Sequence, residues 1–161
     1  MRARLALVTL GALAFATPAA ATDWYLTSES AYATNINFMD RDSIRASGTF
    51  RMTRIYQVLR DNDENGSAAI EVAMEYDCAE PRSRFIRLIG FDARGQRLFD
   101  EPGSQTWRPV DLGTQEHEAR EFACSDGRSL DMSASWGADY PLERARALLV
   151  QHRAEDIRNT Q

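Results

Sequence analysis

One segment of the chain alternates strictly between apolar residues and charged or small ones over nine positions. Ile70, Val72, Met74, Tyr76 and Cys78 occupy every second position, with Glu71, Ala73, Glu75 and Asp77 between them. Successive side chains of a strand point to opposite faces, so this pattern predicts a half-buried β-strand. The strand ends at a cysteine whose sulfur should point toward the core.

Four other segments carry strand patterns, at residues 32–38, 50–59, 85–91 and 96–99. Turn signals lie between the predicted strands. Asn65-Gly66 separates residues 50–59 from the alternating strand, and Ala93-Arg94-Gly95 separates residues 85–91 from residues 96–99. Such turns are typical of β-hairpins. Short strands with neighbouring turns predict an antiparallel meander.

Two later segments predict helices. Residues 114–124 begin with Thr114, which can cap a helix, and continue with acidic residues in the first turn. Residues 141–157 begin with Pro141, which suits a first helical turn, and their Leu and Ala residues follow helical spacing. The predicted fold is therefore α+β, an antiparallel β-sheet meander with a short helix before Cys124 and a C-terminal helix.

The N-terminus predicts export. Arg2 and Arg4 precede an apolar run at residues 5–16, and small residues follow as far as Ala21. This is the organisation of a secretory signal peptide cleaved near Ala21, and a buried N-terminal helix is the alternative. We expect a signal peptide at 1–21, a β-rich domain at 22–128, and a C-terminal extension at 129–161 whose helix packs on or near that domain.

The mature protein should be periplasmic or secreted, without a membrane anchor. The cleavage site has no neighbouring Cys for lipid attachment, and no later segment is apolar enough to span a bilayer as a helix. The formal charge is −5, from 24 acidic and 19 basic residues, and all of the basic ones are Arg. This acidic balance argues against nucleic-acid binding, which depends on clustered Lys and Arg.

Export favours a disulfide between the two cysteines of the chain, Cys78 and Cys124, because exported proteins fold in oxidising compartments. Two buried free thiols or a redox pair are the alternatives. The two residues lie much farther apart in the chain than in the Cys-x-x-Cys pattern of redox pairs. A disulfide requires their Cα atoms to lie within about 4.4–6.8 Å of each other.

An acidic segment is the candidate for a metal site. Residues 61–66 read Asp-Asn-Asp-Glu-Asn-Gly, which matches the start of a calcium-binding loop. The twelfth position of such a loop should be Glu and is Val72, with Glu71 one position too early. A hairpin turn explains the same residues, so the sequence predicts a turn and no metal site.

The sequence predicts no catalytic centre and no cofactor. The two histidines lie on the two predicted helices. The segment around His117 lacks the second His of a zinc-protease helix. The acidic residues next to His117 indicate a helix face that is exposed to solvent. His152 lies on the apolar side of the last helix and should be packed or partly exposed. Acidic pairs also occur, at Asp40/Asp42 and Asp100/Glu101. Acidic loops produce such pairs freely, and no nucleophile elbow, phosphate loop or dinucleotide fingerprint is present. We therefore expect a protein that is not an enzyme.

A series of residues occurs in the order and at about the spacing of a known family. The series comprises Asp23-Trp24-Tyr25, Phe38-Met39-Asp40, Ser43-Ile44, the Glu75-Tyr76-Asp77-Cys78 corner followed by Arg82 and Arg84, the turn at 91–95, Trp107 with Pro109-Val110, and the helix ending at Cys124. On these residues the chain resembles the surface-adhesin protein E family of exported bacterial domains. The resemblance implies an antiparallel sheet with helices, adhesion to host matrix proteins and a homodimer. The ligand-binding stretches of the family's adhesive member are Lys-rich and this chain has no Lys, so no binding residue is carried over.

Two hypotheses of function follow. The first is a non-catalytic exported binding module with a protein partner, and an exposed sheet face or edge with aromatic residues such as Tyr56 and Tyr76 would favour it. The second is a periplasmic enzyme inhibitor, similar to lysozyme inhibitors, or an envelope stress factor. A protruding loop of Ser or acidic residues that plugs a basic cleft would favour the inhibitor.

Overall fold

A computed structural model describes residues 23–129 and 135–159. The elements are β1 (Trp24–Glu29), β2 (Asn35–Ser47), β3 (Phe50–Leu59), β4 (Ala69–Asp77), β5 (Arg82–Phe91), β6 (Arg97–Pro102), β7 (Arg108–Pro109), α1 (Gln115–Cys124) and α2 (Leu142–Asn159). The strands form one antiparallel sheet in the order β1-β2-β3-β4-β5-β6, and β7 pairs with β5. The predicted α+β meander with two helices is confirmed. The predicted signal peptide lies outside the described residues.

The first part of the sheet differs from the prediction. β1 was not expected, and it pairs with β2 through a register shift between Leu26 and Ser28, which interrupts the alternation that marks a strand. The strand expected at 32–38 begins only at Asn35. Tyr32 is 81% exposed and Ala33 has a φ of 48°, so these two residues belong to the turn that precedes β2.

The strand register gives the sheet two faces, each covered by one helix. We call the face of Phe38 and Tyr56, which are cross-strand partners, the upper face. α2 packs on it through three buried residues, Leu142, Ala145 and Leu149. We call the opposite face, with Met39 and Ile55, the lower face. α1 packs on that face through Ala119, Phe122 and Ala123.

β4 is buried on both faces, and the expectation of a half-buried strand with a solvated charged face is wrong. Its acidic residues Glu71, Glu75 and Asp77 are only 7%, 9% and 3% exposed. They lie on the upper face, where the side chains of neighbouring strands cover them and Tyr140, which precedes α2, contacts Glu71. A buried carboxylate is costly unless it is paired, so these residues need partners from other strands.

The predicted disulfide between Cys78 and Cys124 is present, with a Cα–Cα distance of 5.6 Å. It joins the residue after β4 to the last residue of α1 and so fixes the helix against the lower face. Arg120 of α1 strengthens the same connection, since its Nε donates to the Asp77 carbonyl at 3.0 Å and its Nη2 to the Cys78 carbonyl at 3.1 Å.

Removing the disulfide should lower the stability of the fold substantially. The bond closes a loop with a sequence separation of 46, and the chain-entropy model gives such a loop about 4 kcal/mol. We expect the double variant Cys78→Ser/Cys124→Ser to lose free energy of unfolding of that order in urea titrations at pH 7. An unchanged unfolding midpoint would contradict the assigned role of the bond.

Candidate binding surface

α2 covers only the half of the upper face where β2 and β3 carry apolar side chains. On the other half, arginines of one strand lie opposite carboxylates of the next, and we call this half the arginine ladder. Its members are Asp40, Arg54, Glu75, Asp77, Arg82, Arg84, Arg87 and Asp100. Three of the four pairs are direct cross-strand partners, and Arg87 lies diagonally from Asp100. Both arrangements bring side chains on one face close enough to interact, so the register of the sheet brings these charges together.

The ladder begins at a buried carboxylate. Asp40 is 1% exposed, and Arg54 donates to its Oδ2 through Nε at 3.1 Å and through a second, shorter bond from Nη2. The Arg54 guanidinium also lies 3.8 Å from the Glu71 carboxylate and 5.6 Å from the Trp24 ring centroid. Burial by itself lowers the pKa of Arg54, but the hydrogen bond to Asp40 and the charges of Asp40 and Glu71 outweigh it, and the net pKa is raised.

Two further pairs follow along β4 and β5. Arg84 donates to Glu75 at 2.6 Å, and Arg82 donates twice to Asp77, at 3.0 and 2.8 Å. Both guanidiniums lie over the Trp107 ring, at 5.0 Å for Arg82 and 4.7 Å for Arg84. Desolvation alone would raise the pKa of Asp77, but the Arg82 hydrogen bonds and the amides of residues 79 and 80 lower it overall.

The ladder ends at the edge strand β6. Arg87 donates to Asp100 from two nitrogens, with the Nε bond at 2.7 Å, and Arg97 donates to the same carboxylate at 2.8 Å. The hydrogen bond from Arg87 is the main cause of the lowered pKa of Asp100. Nearly all of β6 is exposed, and its free edge carries charges and a proline, features that discourage unwanted strand pairing.

These arginines are held in place and still reach solvent. The side chains of Arg54, Arg82, Arg84 and Arg87 are between 30% and 53% exposed. Met52, which is 42% exposed, lies among them and lines a shallow hollow of about 360 Å³ with Asp40, Arg54 and Ala73. The surface therefore combines fixed guanidinium groups, an indole and an apolar side chain.

The acidic segment at 61–66 forms a turn. The Asp63 carboxylate accepts from the amides of Asn65 at 2.9 Å and Ser67 at 2.8 Å, while Asp61 pairs with Arg60 and Glu64 is exposed. Gly66 has a φ of 81°, which the turn requires and glycine adopts without strain. Among residues 23–129 and 135–159 no three His, Cys, Asp or Glu side chains are grouped as metal ligands.

The two histidines lie on opposite sides of the sheet. On the lower face, His117 Nε2 lies 3.4 Å from a Glu121 oxygen. The neighbouring Glu116 accepts a hydrogen bond from Ser83 of β5. This side of α1 is therefore less exposed to solvent than its acidic residues predicted. On the upper face, His152 Nδ1 lies 2.8 Å from a Glu29 oxygen of β1. The fold therefore does not bring the two histidines together.

Two aromatic residues expected on an exposed face are buried instead. Tyr56 is 1% exposed, under α2, and Tyr76 is 0% exposed, under α1. The exposed half of the upper face carries Trp107, whose role the sequence did not indicate. The acids Asp40 and Asp100, interpreted as residues of acidic loops, lie in β2 and β6 and belong to the ladder. The β4–β5 part of the ladder did have a sequence signal, because Arg82 and Arg84 occupy alternate positions of β5, as Glu75 and Asp77 do in β4.

Comparison with known proteins supports the resemblance noted in the sequence. A family model described as Surface-adhesin protein E matches residues 24–125, from the start of β1 to the residue after α1. No curated protein matches the chain significantly. Neither helix of the described residues has the length and apolar character that crossing a membrane requires.

The Asp77–Arg82 pair predicts a specific pH dependence. Because the folded-state pKa of Asp77 is lowered, its contribution to stability is complete above the unfolded-state value of about 3.9 and is lost as the pH falls through the folded-state pKa. We expect Asp77→Asn to be less stable than the parent at pH 7 and to lose less free energy of unfolding between about pH 4 and pH 2, measured in urea.

The matched control is Asp111→Asn. The exposed Asp111 carboxylate has no hydrogen-bond or ion-pair partner within the described parts of the chain, so this variant should follow the parent at every pH. The same pH dependence in the parent and in Asp77→Asn would contradict the assigned role of the pair.

Proposed function

The chain belongs to the surface-adhesin protein E family of adhesin-like surface proteins, and we propose that it binds an extracellular or envelope protein without catalysing a reaction. The observation that carries this proposal is the arginine ladder with Trp107. It is the half of the upper sheet face that the two described helices leave uncovered.

The composition of the ladder suits a protein partner. Arg and Trp are enriched at protein interfaces and among the residues that dominate binding energy. Hydrogen bonds to carboxylates already fix the guanidinium groups, and immobilising a flexible side chain on binding costs about 0.5–1.5 kcal/mol. Side chains held in this way in the free protein lose less conformational entropy when a partner binds.

The charge of the ladder argues against a polyanion. Each of its arginines has a carboxylate partner, so the surface offers little excess positive charge for phosphate or sulfate groups. A protein surface with mixed charges and an apolar contact for Met52 is a better complement.

The absence of catalysis is part of the same proposal. His117 and His152 lie on opposite faces, and the ladder acids are engaged by arginines.

We propose that the protein acts outside the cytoplasm. The expected signal peptide with cleavage near Ala21 supports export to the periplasm or beyond. The resemblance to the family also predicts a homodimer.

Substitutions at Met52 and Trp107 test the binding surface, and a substitution at Val150 is the control. Met52, on the ladder, is 42% exposed, and Val150, on the outer side of α2, is 60% exposed. We expect Met52→Glu and Trp107→Ala to weaken capture of a protein partner roughly tenfold or more, whereas Val150→Glu should not change it. The measurement is saturable binding of purified, folded variants to immobilised host matrix proteins and to fractionated envelope proteins.

Undiminished binding by both ladder variants would contradict the assigned surface. No saturable binding in either panel would contradict the function itself. Inhibition of lysozyme by the purified protein would support the inhibitor hypothesis instead. Light scattering of the same samples determines whether the protein is a dimer.

A further inference from the structure

A cavity of about 430 Å³ lies where the C-terminal extension meets the turn between β5 and β6. One wall is the turn at Ala93, Arg94 and Gly95, and the opposite wall is the segment from Tyr140 to Arg144 that begins α2. Its size is that of a small-molecule site. The second wall lies outside residues 24–125, which match the family, so membership of the family does not imply this cavity.

Three aromatic rings line the cavity. The ring centroids of Tyr56 and Tyr140 are 4.7 Å apart, those of Phe91 and Tyr140 are 5.6 Å apart, and those of Tyr56 and Phe91 are 5.9 Å apart. Each pair lies within the range in which rings attract one another, and the angles between the rings are tilted or edge-on. Tyr56 is buried behind the other two rings, so Phe91 and Tyr140 are the rings that another planar group can contact.

The lining is fixed from below by a buried carboxylate. The Tyr140 hydroxyl donates a hydrogen bond to Glu71, and Glu71 in turn lies 3.8 Å from Arg54. Burial, followed by this hydrogen bond, raises the pKa of Tyr140 to about 12, so the phenol keeps its proton as a donor. The segment is also tied to the sheet by Trp24, whose amide donates to the Gly137 carbonyl at 3.1 Å. The cavity is thus preformed.

Two arginines at the cavity differ from those of the ladder. Within the described residues, the Arg94 guanidinium has no ion pair or hydrogen bond. Arg144 has no carboxylate partner there either, and it lies over the Trp136 ring at 4.0 Å. Glu143 also lines the cavity, so the two guanidiniums leave an excess of positive charge beside an aromatic interior.

We propose that this cavity binds a small aromatic carboxylate. The aromatic ring of the ligand would pack against Phe91 and Tyr140, with the buried Tyr56 behind them, and its carboxylate would accept hydrogen bonds from Arg94 and Arg144. Guanidinium groups match carboxylates in geometry, and hydrogen bonds between charged groups are the stronger kind. A cation is disfavoured by the two arginines. A purely apolar ligand would leave both of them without a carboxylate partner.

The test compares one acid with its uncharged analogue. The probes are 3-phenylpropanoate and 3-phenylpropanamide, titrated into the purified protein and followed by chemical shifts in NMR spectra. We expect saturable binding of the acid, at least about tenfold tighter than that of the amide. No saturable binding of the acid, or equal affinity for the two probes, would overturn the proposal.

Variants separate the two parts of the site. Arg94→Ala should weaken binding of the acid about tenfold and leave binding of the amide unchanged, a split that a merely structural change would not produce. Ala93→Trp, in the exposed turn, should fill the cavity and abolish binding of both probes. The matched controls Arg97→Ala on β6 and Arg153→Ala on α2 remove exposed arginines that do not line the cavity. Loss of acid binding in these controls equal to that in Arg94→Ala would also overturn the proposal.

Discussion

The ion pair between Asp40 and Arg54 lies where the two halves of the upper sheet face meet. Asp40 is almost fully buried, and a carboxylate in that position is tolerated only with a close partner. Arg54 supplies the partner and extends the connection to Glu71, which accepts from Tyr140. One network of charges therefore joins the exposed arginine ladder on one side to the aromatic cavity on the other.

The two helices determine which parts of the sheet are available to partners. The disulfide at Cys124 holds α1 on the lower face, and α2 buries the apolar half of the upper face through Leu142 and Leu149. The remaining half is occupied by charge pairs that neutralise one another locally. Three of the four carboxylates are almost fully buried and depend on their arginines, whose guanidinium groups still reach solvent.

The sequence was informative where the pattern is local. Alternation identified β4, helical spacing and Thr114 identified the two helices, and the cysteine count identified the disulfide. β1 was not predicted because a register shift interrupts the alternation of its apolar and polar residues. The arginine ladder and the cavity depend on which strands are neighbours, and on contacts between residues such as Glu71 and Tyr140 that lie far apart in the chain. Periodicity within one segment carries no information about such contacts, so the acids of β4 were interpreted as solvent-facing.

The most direct test of the account is the footprint of a bound partner on this protein, measured by hydroxyl-radical oxidation of side chains. Met52 and Trp107 report on the arginine ladder, while Tyr32 and Leu112, at 81% and 85% exposure, report on surfaces outside it. The account predicts that partner binding protects Met52 and Trp107 and leaves Tyr32 and Leu112 as reactive as in the free protein. Protection of Tyr32 or Leu112 with full oxidation of Met52 and Trp107 would contradict it.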